Sequence, residues 1–366
     1  MNIYNYVMYS LLSLTFFEIL ADKTYVLCLK TKDFNQKFAI KKIIAVLIGI
    51  VLIIIAANRS QQVGRDLINY LPRYNNISRV NNFSELKQLA NSYSFELGFT
   101  LLCKLFSFLG NDGYIFIRIT SIIVGIGFII ITNKSKMPIY AWFLIFCFGI
   151  WGSSLNVIRQ YMALTVLAYS IKFIEKNNNV CFFIMILIAT FIHSTSIIFL
   201  LIYFFRKKYS DKNFLKSFCQ LCIITYLFGV RIVEIVISHT SFAWYLNRHD
   251  GSGSSTLIFL FLILFSTYFY KETIKSIDKN SDLWFGSLLI TILLNILALR
   301  WGIFARAMKF FMPFIMLLII DFVLVFKSNK LLYLLVNSLV IIFFILYFKK
   351  VTLGVSAISE GWLFYS

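Results

Sequence analysis

Long apolar stretches separated by short polar loops run along the whole chain. Most of these stretches approach the ~20 residues that a helix needs to cross a bilayer. The pattern therefore predicts an all-α, polytopic integral membrane protein with about ten full spans. The predicted spans lie near residues 3–21, 43–57, 114–132, 139–152, 156–175, 217–238, 255–270, 283–299, 308–326 and 331–348.

Two further apolar segments are predicted to be short and re-entrant. Residues 180–205 run between two lysine-rich loops that must share one side of the membrane. Each half of this segment has only about thirteen residues, or ~20 Å of helix, so the chain should turn back inside the membrane near His193. Residues 95–109 should dip in from the outer side in the same way. Irregular backbone at such depth is tolerated where it lines a cavity, and we expect both segments to line one.

Composition agrees with a membrane protein and adds an orientation. Hydrophobic residues make up 60% of the 366 residues, and the mean hydropathy is +0.81. If the chain crosses the membrane at each predicted span, the loops that lie on one side contain most of the lysines, most clearly loops 22–42 and 206–216. Lysine-rich loops stay in the cytoplasm. Ten of the eleven arginines then fall on the outer side. The net charge of +19 comes mostly from cytoplasmic lysines, and no nucleic acid is expected as a partner.

The whole chain, 1–366, is expected to form a single transmembrane domain. The outer loops 58–94 and 238–255 should lie over the cavity. Residues 1–20 lack a basic start and a small-residue cleavage site, so we interpret them as the first span and not as a removable signal peptide.

The first outer loop carries a spacing typical of an anion-binding face. Arg65, Asn69 and Arg73 lie four residues apart, so a helix would place them on one side, with Asp66 and Tyr70 beside them. Arginine is the side chain that binds two oxygens of a phosphate at once, and such a face suits a pyrophosphate. The alternative is a solvated helix at the membrane surface whose arginines bind lipid headgroups or Asp66.

Arg159 is the most conspicuous charge in the chain. It lies in the first turn of an otherwise apolar predicted helix, where a charge is costly unless it is paired or faces a cavity. The alternative is an arginine that extends to the membrane surface. Arg300 and Arg306 mark the outer junction of two predicted spans and could face the same cavity. Glu96, at the head of the first re-entrant segment, could orient an arginine or act as a base.

His193 is the histidine predicted to lie within the membrane. A polar sequence follows it at 194–196, which makes it a candidate acid or base, although a buried histidine is as often structural. His239 and His249 stand ten residues apart without a third ligand, so no metal site is expected. The sequence contains no nucleotide-phosphate loop and no serine nucleophile elbow, and no cofactor is predicted.

Five short motifs, in order between about residues 50 and 320, resemble those of the EpsG family of Wzy-type polysaccharide polymerases. They are Gly64-Arg65-Asp66 with Tyr70, Phe95-Glu96-Leu97-Gly98-Phe99, Ile158-Arg159-Gln160 with Ala163, His193-Ser194-Thr195-Ser196-Ile197-Ile198 and Ile303-Phe304-Ala305-Arg306-Ala307-Met308-Lys309-Phe310-Phe311. Arg65 departs from the pattern, because relatives commonly have a smaller polar residue there. The resemblance implies a GT-C-like helical fold with a periplasmic cavity, in the bacterial inner membrane.

The resemblance also implies an activity and its partners. Such proteins join undecaprenyl-diphosphate-linked glycan repeat units at the outer face of the membrane. The expected partners are that glycan and membrane lipid, with a regulator of chain length as a further candidate. Arginines could neutralise the leaving diphosphate without a metal. Three roles are expected from this reaction. Arg65, Arg159 and Arg306 should bind the diphosphate, with support from Arg73, Arg300, Glu96 and Tyr70. His193 or Asp66 should accept the proton of the acceptor hydroxyl or orient the base that does so.

Two other functions remain open at this point. An O-antigen-type ligase uses the same donor chemistry and differs only in its acceptor. A flippase for the lipid-linked unit is the alternative without chemistry, but its charges should line a path across the membrane, whereas these arginines collect on one face, and no transporter-type repeat is present.

Overall fold

The computed structural model describes residues 3–24, 33–64, 66–205, 214–239 and 253–353, and every regular element within those ranges is a helix. The all-α prediction is confirmed. The chain divides into two compact units. The first comprises Met1–Ile197 and Phe326–Ser366, and the second comprises Ile198–Val325.

The first unit contains the helices that carry most of the predicted site residues. They are α1 (Ile3–Thr24), α2 (Asp33–Ala57), α3 (Leu67–Arg79), α4 (Phe83–Ser92), α5 (Leu97–Ser107), α6 (Gly113–Thr132), α7 (Pro138–Cys147), α8 (Ile150–Ser154), α9 (Ile158–Glu175) and α10 (Asn179–Ile192), with the helix Lys330–Leu353 from the end of the chain. Its core near the site is aromatic, with Phe99 and Phe116 fully buried beside Tyr70.

The second unit is helical throughout its described residues. Its α-helices are α11 (Leu201–Phe205), α12 (Phe214–Ile224), α13 (Val230–Ser238), α14 (Ser254–Phe269), α15 (Lys271–Ile277), α16 (Ser281–Ala298), α17 (Gly302–Met308) and α18 (Met312–Val325). The helix Lys330–Leu353 is α19 in chain order. A π-helical turn, Thr225–Gly229, joins α12 to α13.

Four helices are long and apolar enough to cross a membrane, namely Ala39–Ala57, Gly113–Thr132, Ser281–Ala298 and Lys330–Lys350. Two bent pairs raise the number to six if each pair is one span. The first, Ser254–Phe269 with Lys271–Ile277, bends by 81°, and the second, Gly302–Met308 with Met312–Ser328, bends by 56°. The protein is therefore a helical membrane protein, but the prediction of ten full spans is not confirmed.

The predicted span over 139–152 is interrupted by a break in the helix. Helix α7 has ten residues, which reach only ~15 Å at ~1.5 Å per residue. Gly149 follows in the left-handed conformation, with φ 78°, and such a residue ends a helix while leaving the apolar composition unchanged. Helix α8 starts at the next residue. An average over hydrophobicity cannot detect this break.

Both segments predicted to be re-entrant are built from short helices. Helix α5 has eleven residues, or ~16 Å, too short to cross a bilayer. Helix α10 ends at Ile192, and His193 follows in an extended conformation, with φ −150° and ψ 112°. The predicted break at His193 is confirmed. The return of this segment to its starting side stays a prediction, because the chain beyond Ile197 belongs to the second unit.

Candidate active site

Glu96 is the centre of a polar cluster in the first unit. It stands immediately before α5 in an extended conformation, which lets its side chain extend away from the helix. Its Oε2 accepts a hydrogen bond from Nη1 of Arg159 at 2.6 Å, and its Oε1 lies 3.0 Å from Nδ1 of His193. The three side chains are 17–21% exposed. One carboxylate thus joins the predicted diphosphate-binding arginine to the predicted base.

The backbone break after α10 supplies two more donors to the same carboxylate. The backbone N–H of Ser194 donates to Glu96 Oε1 at 2.9 Å, and the Ser194 hydroxyl donates to it at 3.1 Å. These bonds are possible because the helix ends at Ile192 and extended His193 redirects the chain. The hydroxyl of Ser196 donates to the carbonyl of His193 and closes the turn.

The charge state of Glu96 follows from these contacts. Burial by itself would raise the pKa of the Glu96 carboxyl, because it removes water from the charged form. The hydrogen bond with His193 and the positive charge of Arg159 outweigh burial and lower the pKa from 4.5 to about 2. Glu96 is therefore a carboxylate at any physiological pH.

Arg159 is held on several sides by protein groups. Its Nε donates to the hydroxyl of Tyr70 at 3.2 Å, and its Nη1 donates to the carbonyl oxygen of Ser94 at 3.3 Å. Its guanidinium carbon stands 4.7 Å from the centroid of the Phe95 ring, within the range of a cation–π interaction. The guanidinium is thus fixed in orientation inside a largely buried pocket, which differs from the alternative of an arginine extended to the membrane surface.

Arg73 contacts the same short segment from α3. Its Nη1 donates to the carbonyl oxygen of Tyr93 at 3.2 Å. Its guanidinium carbon lies 5.2 Å from the centroid of the Tyr93 ring and 5.1 Å from that of the Phe95 ring. Phe95 therefore contacts two arginines. The structure brings Arg73, Tyr70, Glu96, Arg159 and His193 into one connected cluster.

Asp66 is attached to this cluster through its backbone. It immediately precedes α3, and its N–H donates to Oδ1 of Asn156 at 2.8 Å. Arg65 lies outside the described residues, so the shared face predicted for Arg65, Asn69 and Arg73 stays a prediction. The helix itself begins at Leu67, two residues later than that spacing assumed.

Arg300 and Arg306 belong to the second unit. Nη2 of Arg300 lies 3.5 Å from Glu234 Oε1, and the guanidinium carbon of Arg300 stands 5.5 Å from the centroid of the Trp301 ring. Both arginines are exposed, and Arg306 lies in α17. Their convergence with Arg159 on one cavity stays a prediction. Most of loop 238–255, which was predicted to lie outside, falls outside the described residues, including His249.

Two residues of this arrangement were not among the predicted site residues. Ser194 and Asn156 both supply hydrogen bonds that hold predicted site residues. The sequence signal that could have identified them is a polar residue at a helix break, for Ser194, or just before an apolar helix, for Asn156. Among the residues that the structure describes, no three histidine, cysteine, aspartate or glutamate side chains form a group that could hold a metal ion.

The cluster combines two chemical capacities. The guanidinium of Arg159 can stabilise an anion, and a histidine whose Nδ1 faces a carboxylate can accept a proton at its other ring nitrogen. Comparison with known families adds one finding, which is that a model of the EpsG family matches residues 42–366. No curated protein and no solved structure matches the chain.

Proposed function

The chain belongs to the EpsG family, and from that premise we propose that it polymerises lipid-linked glycans. The proposed substrates are undecaprenyl-diphosphate-linked repeat units at the outer face of a bacterial inner membrane. The observation that carries the proposal is the Glu96 carboxylate, which contacts Arg159 through one oxygen and His193 through the other.

The reaction requires two kinds of group. The acceptor hydroxyl oxygen attacks the anomeric carbon of the donor sugar, and the bond from that carbon to the diphosphate breaks. The diphosphate leaves with the electron pair, and the hydroxyl proton passes to a base. A cation at the leaving group and a base at the acceptor are therefore needed. Arg159 and His193 supply these two groups 34 positions apart in the sequence.

His193 is the proposed base, and Glu96 is the residue that orients it. A carboxylate only accepts hydrogen bonds, so the ring nitrogen at 3.0 Å, Nδ1, carries a proton. In a neutral imidazole the other nitrogen, Nε2, then accepts the proton of the acceptor hydroxyl. The same division of roles between carboxylate and imidazole operates in serine hydrolases. Asp66 would help to place the acceptor.

The arginines take the role that a metal ion has in many phosphate-transfer sites. Arg159 and Arg73 are proposed to bind the diphosphate in the first unit, and Arg65, Arg300 and Arg306 are proposed to add to them. A guanidinium contributes two parallel donors to phosphate oxygens, so the positive charge needs no divalent ion. Turnover in the presence of a chelator is the expected consequence.

Purified protein with lipid-linked repeat units tests the proposal. Arg159→Lys keeps the charge but loses the planar pair of donors, and we expect polymer formation to fall on the order of 100-fold. Arg79→Lys is the matched control, because Arg79 is exposed at the end of α3. Wild-type polymer length from a well-expressed Arg159→Lys protein would contradict the diphosphate role.

Cells without this gene distinguish the polymerase from the ligase. Single repeat units on undecaprenyl diphosphate are expected for a lost polymerase, whereas full-length polymer on the same lipid would identify a ligase. A flippase would make no glycosidic bond in the purified assay.

A further inference from the structure

Asn156 joins two segments of the cluster that are distant in sequence. It lies between α8 and α9, three residues before Arg159. Its Oδ1 accepts a hydrogen bond from the backbone N–H of Asp66 at 2.8 Å, across 90 positions of sequence. Since Asp66 immediately precedes α3, this bond joins the start of α3 to the start of α9.

Gly64 packs against the same turn between α8 and α9. Its φ is +104°, and a Cβ added to it would stand 2.6 Å from the carbonyl oxygen of Leu155. The backbone angle and the close approach both favour glycine over any residue with a side chain. Gly64 and Asp66 therefore contact two neighbouring residues, Leu155 and Asn156. The loop before α3 thus packs against the turn that precedes Arg159.

A second bond links the two helices one turn further on. The Tyr70 hydroxyl, on α3, accepts a hydrogen bond from Arg159 Nε at 3.2 Å. With Asn156 bound to Asp66, α3 and α9 are attached to each other at two points. The Asn156 bond thus determines where Asp66 and Tyr70 stand relative to the guanidinium of Arg159.

We infer that Asn156 is a positioning residue of the polymerase site, an inference that rests on the proposed function. Asn156 acts through the backbone of Asp66 and not on the substrate. Its Oδ1 is the atom required, so an oxygen acceptor at this position should suffice. A displacement of about 1 Å between reacting groups can lower a rate by ~100-fold, which is why a single hydrogen bond outside the reacting atoms can matter.

Hydrogen–deuterium exchange tests the bond itself without any assay of activity. Asn156→Ala removes the acceptor, and the backbone amides of 64–70 should then exchange several-fold faster. Asn156→Asp keeps an oxygen acceptor in nearly the same volume and should keep the slow exchange. Asn82→Ala is the matched control, because Asn82 also accepts a backbone N–H through Oδ1, from Ser84 at 2.9 Å. Unchanged exchange in Asn156→Ala would overturn the inference.

Steady-state kinetics on the purified proteins test the role. We expect Asn156→Ala to lower kcat roughly tenfold or more, with an unchanged thermal midpoint, while Asn156→Asp and Asn82→Ala stay near wild type. An equal loss in Asn156→Asp would show that the amide itself is needed, and full activity in Asn156→Ala would show that the bond does not matter. Either result overturns the positioning role alone. An inactive wild-type protein would refute the proposed function and the role together.

Discussion

Replacing Glu96 by Gln should weaken both the folded protein and its activity. Gln is nearly the same size but carries no charge, so it can neither pair with Arg159 nor accept all the hydrogen bonds from His193 and Ser194. The size of the lost stabilisation follows from the pKa of Glu96, which is about 2 against an ordinary 4.5. Each unit is worth ~1.4 kcal/mol, so the folded state favours the carboxylate over the protonated acid by ~3 kcal/mol.

This stabilisation has a definite dependence on pH. Because folding lowers the pKa of Glu96, the contribution is complete above the unfolded value of 4.5 and is lost as the pH falls through about 2. It should amount to ~3 kcal/mol at neutral pH and ~1 kcal/mol near pH 3. Glu96→Gln has no such carboxylate. The difference in thermal midpoint between wild type and Glu96→Gln should therefore be largest at neutral pH and shrink in acid.

The assay compares thermal unfolding and polymer formation by the purified proteins. Glu175→Gln is the control, because Glu175 forms an ion pair with Lys134 of the same 2.6 Å length but lies outside the cluster. Glu96→Gln should lower turnover on the order of 100-fold, while Glu175→Gln should leave turnover near wild type. A stability difference that is equal at pH 7 and pH 3 would refute the electrostatic reasoning, and full turnover of Glu96→Gln would refute the role of Glu96.

Three further perturbations test separate parts of the structure and its interpretation. His193→Ala should reduce turnover on the order of 100-fold with little change in the amount of folded protein, and undiminished turnover would remove His193 from the site. Gly98→Ala should also reduce turnover, because the added Cβ would stand 2.3 Å from the carbonyl oxygen of Phe191 and would push α5, with Glu96, away from His193. Unchanged activity of Gly98→Ala would contradict this packing of α5 against α10. Cysteines placed at exposed Ser84 and Lys176 should be labelled from the outside and the inside respectively, and reversed labelling would overturn the orientation drawn from the lysines.

Hydropathy predicted the spans in which the apolar stretch is also one continuous helix. The spans expected near 43–57, 114–132, 283–299 and 331–348 are continuous helices of sufficient length. A single continuous span is not confirmed where backbone conformation interrupts an apolar stretch, as at Gly149 and between α17 and α18. Hydropathy is an average over side chains, and a change in one φ angle leaves that average unaltered.

The residue types of the cluster were predictable, but their pairing was not. A charged residue in an apolar segment is costly, and this argument singled out Arg159, whereas Glu96 and His193 were candidates because they mark the start and the turn of the two segments predicted to be re-entrant. Glu96 and His193 are 97 positions apart, and no periodicity relates them. Their contact depends on the packing of α5 against α10, where Gly98 allows the two backbones to approach. Tertiary packing of this kind is not encoded in any local spacing.

The low pKa of Glu96 also bears on the proposed substrate. A carboxyl that is more than four-fifths buried should be harder to ionise than one in water, yet its pKa falls to about 2. The surroundings of Glu96 must therefore favour negative charge strongly enough to outweigh the loss of water. The hydrogen bond with His193 and then the positive charge of Arg159 produce that preference, and Arg73 brings a further positive charge to the same short segment. Two guanidinium groups therefore stand close to the short segment that carries Glu96, and this local concentration of positive charge supports the binding of an anion such as a leaving diphosphate.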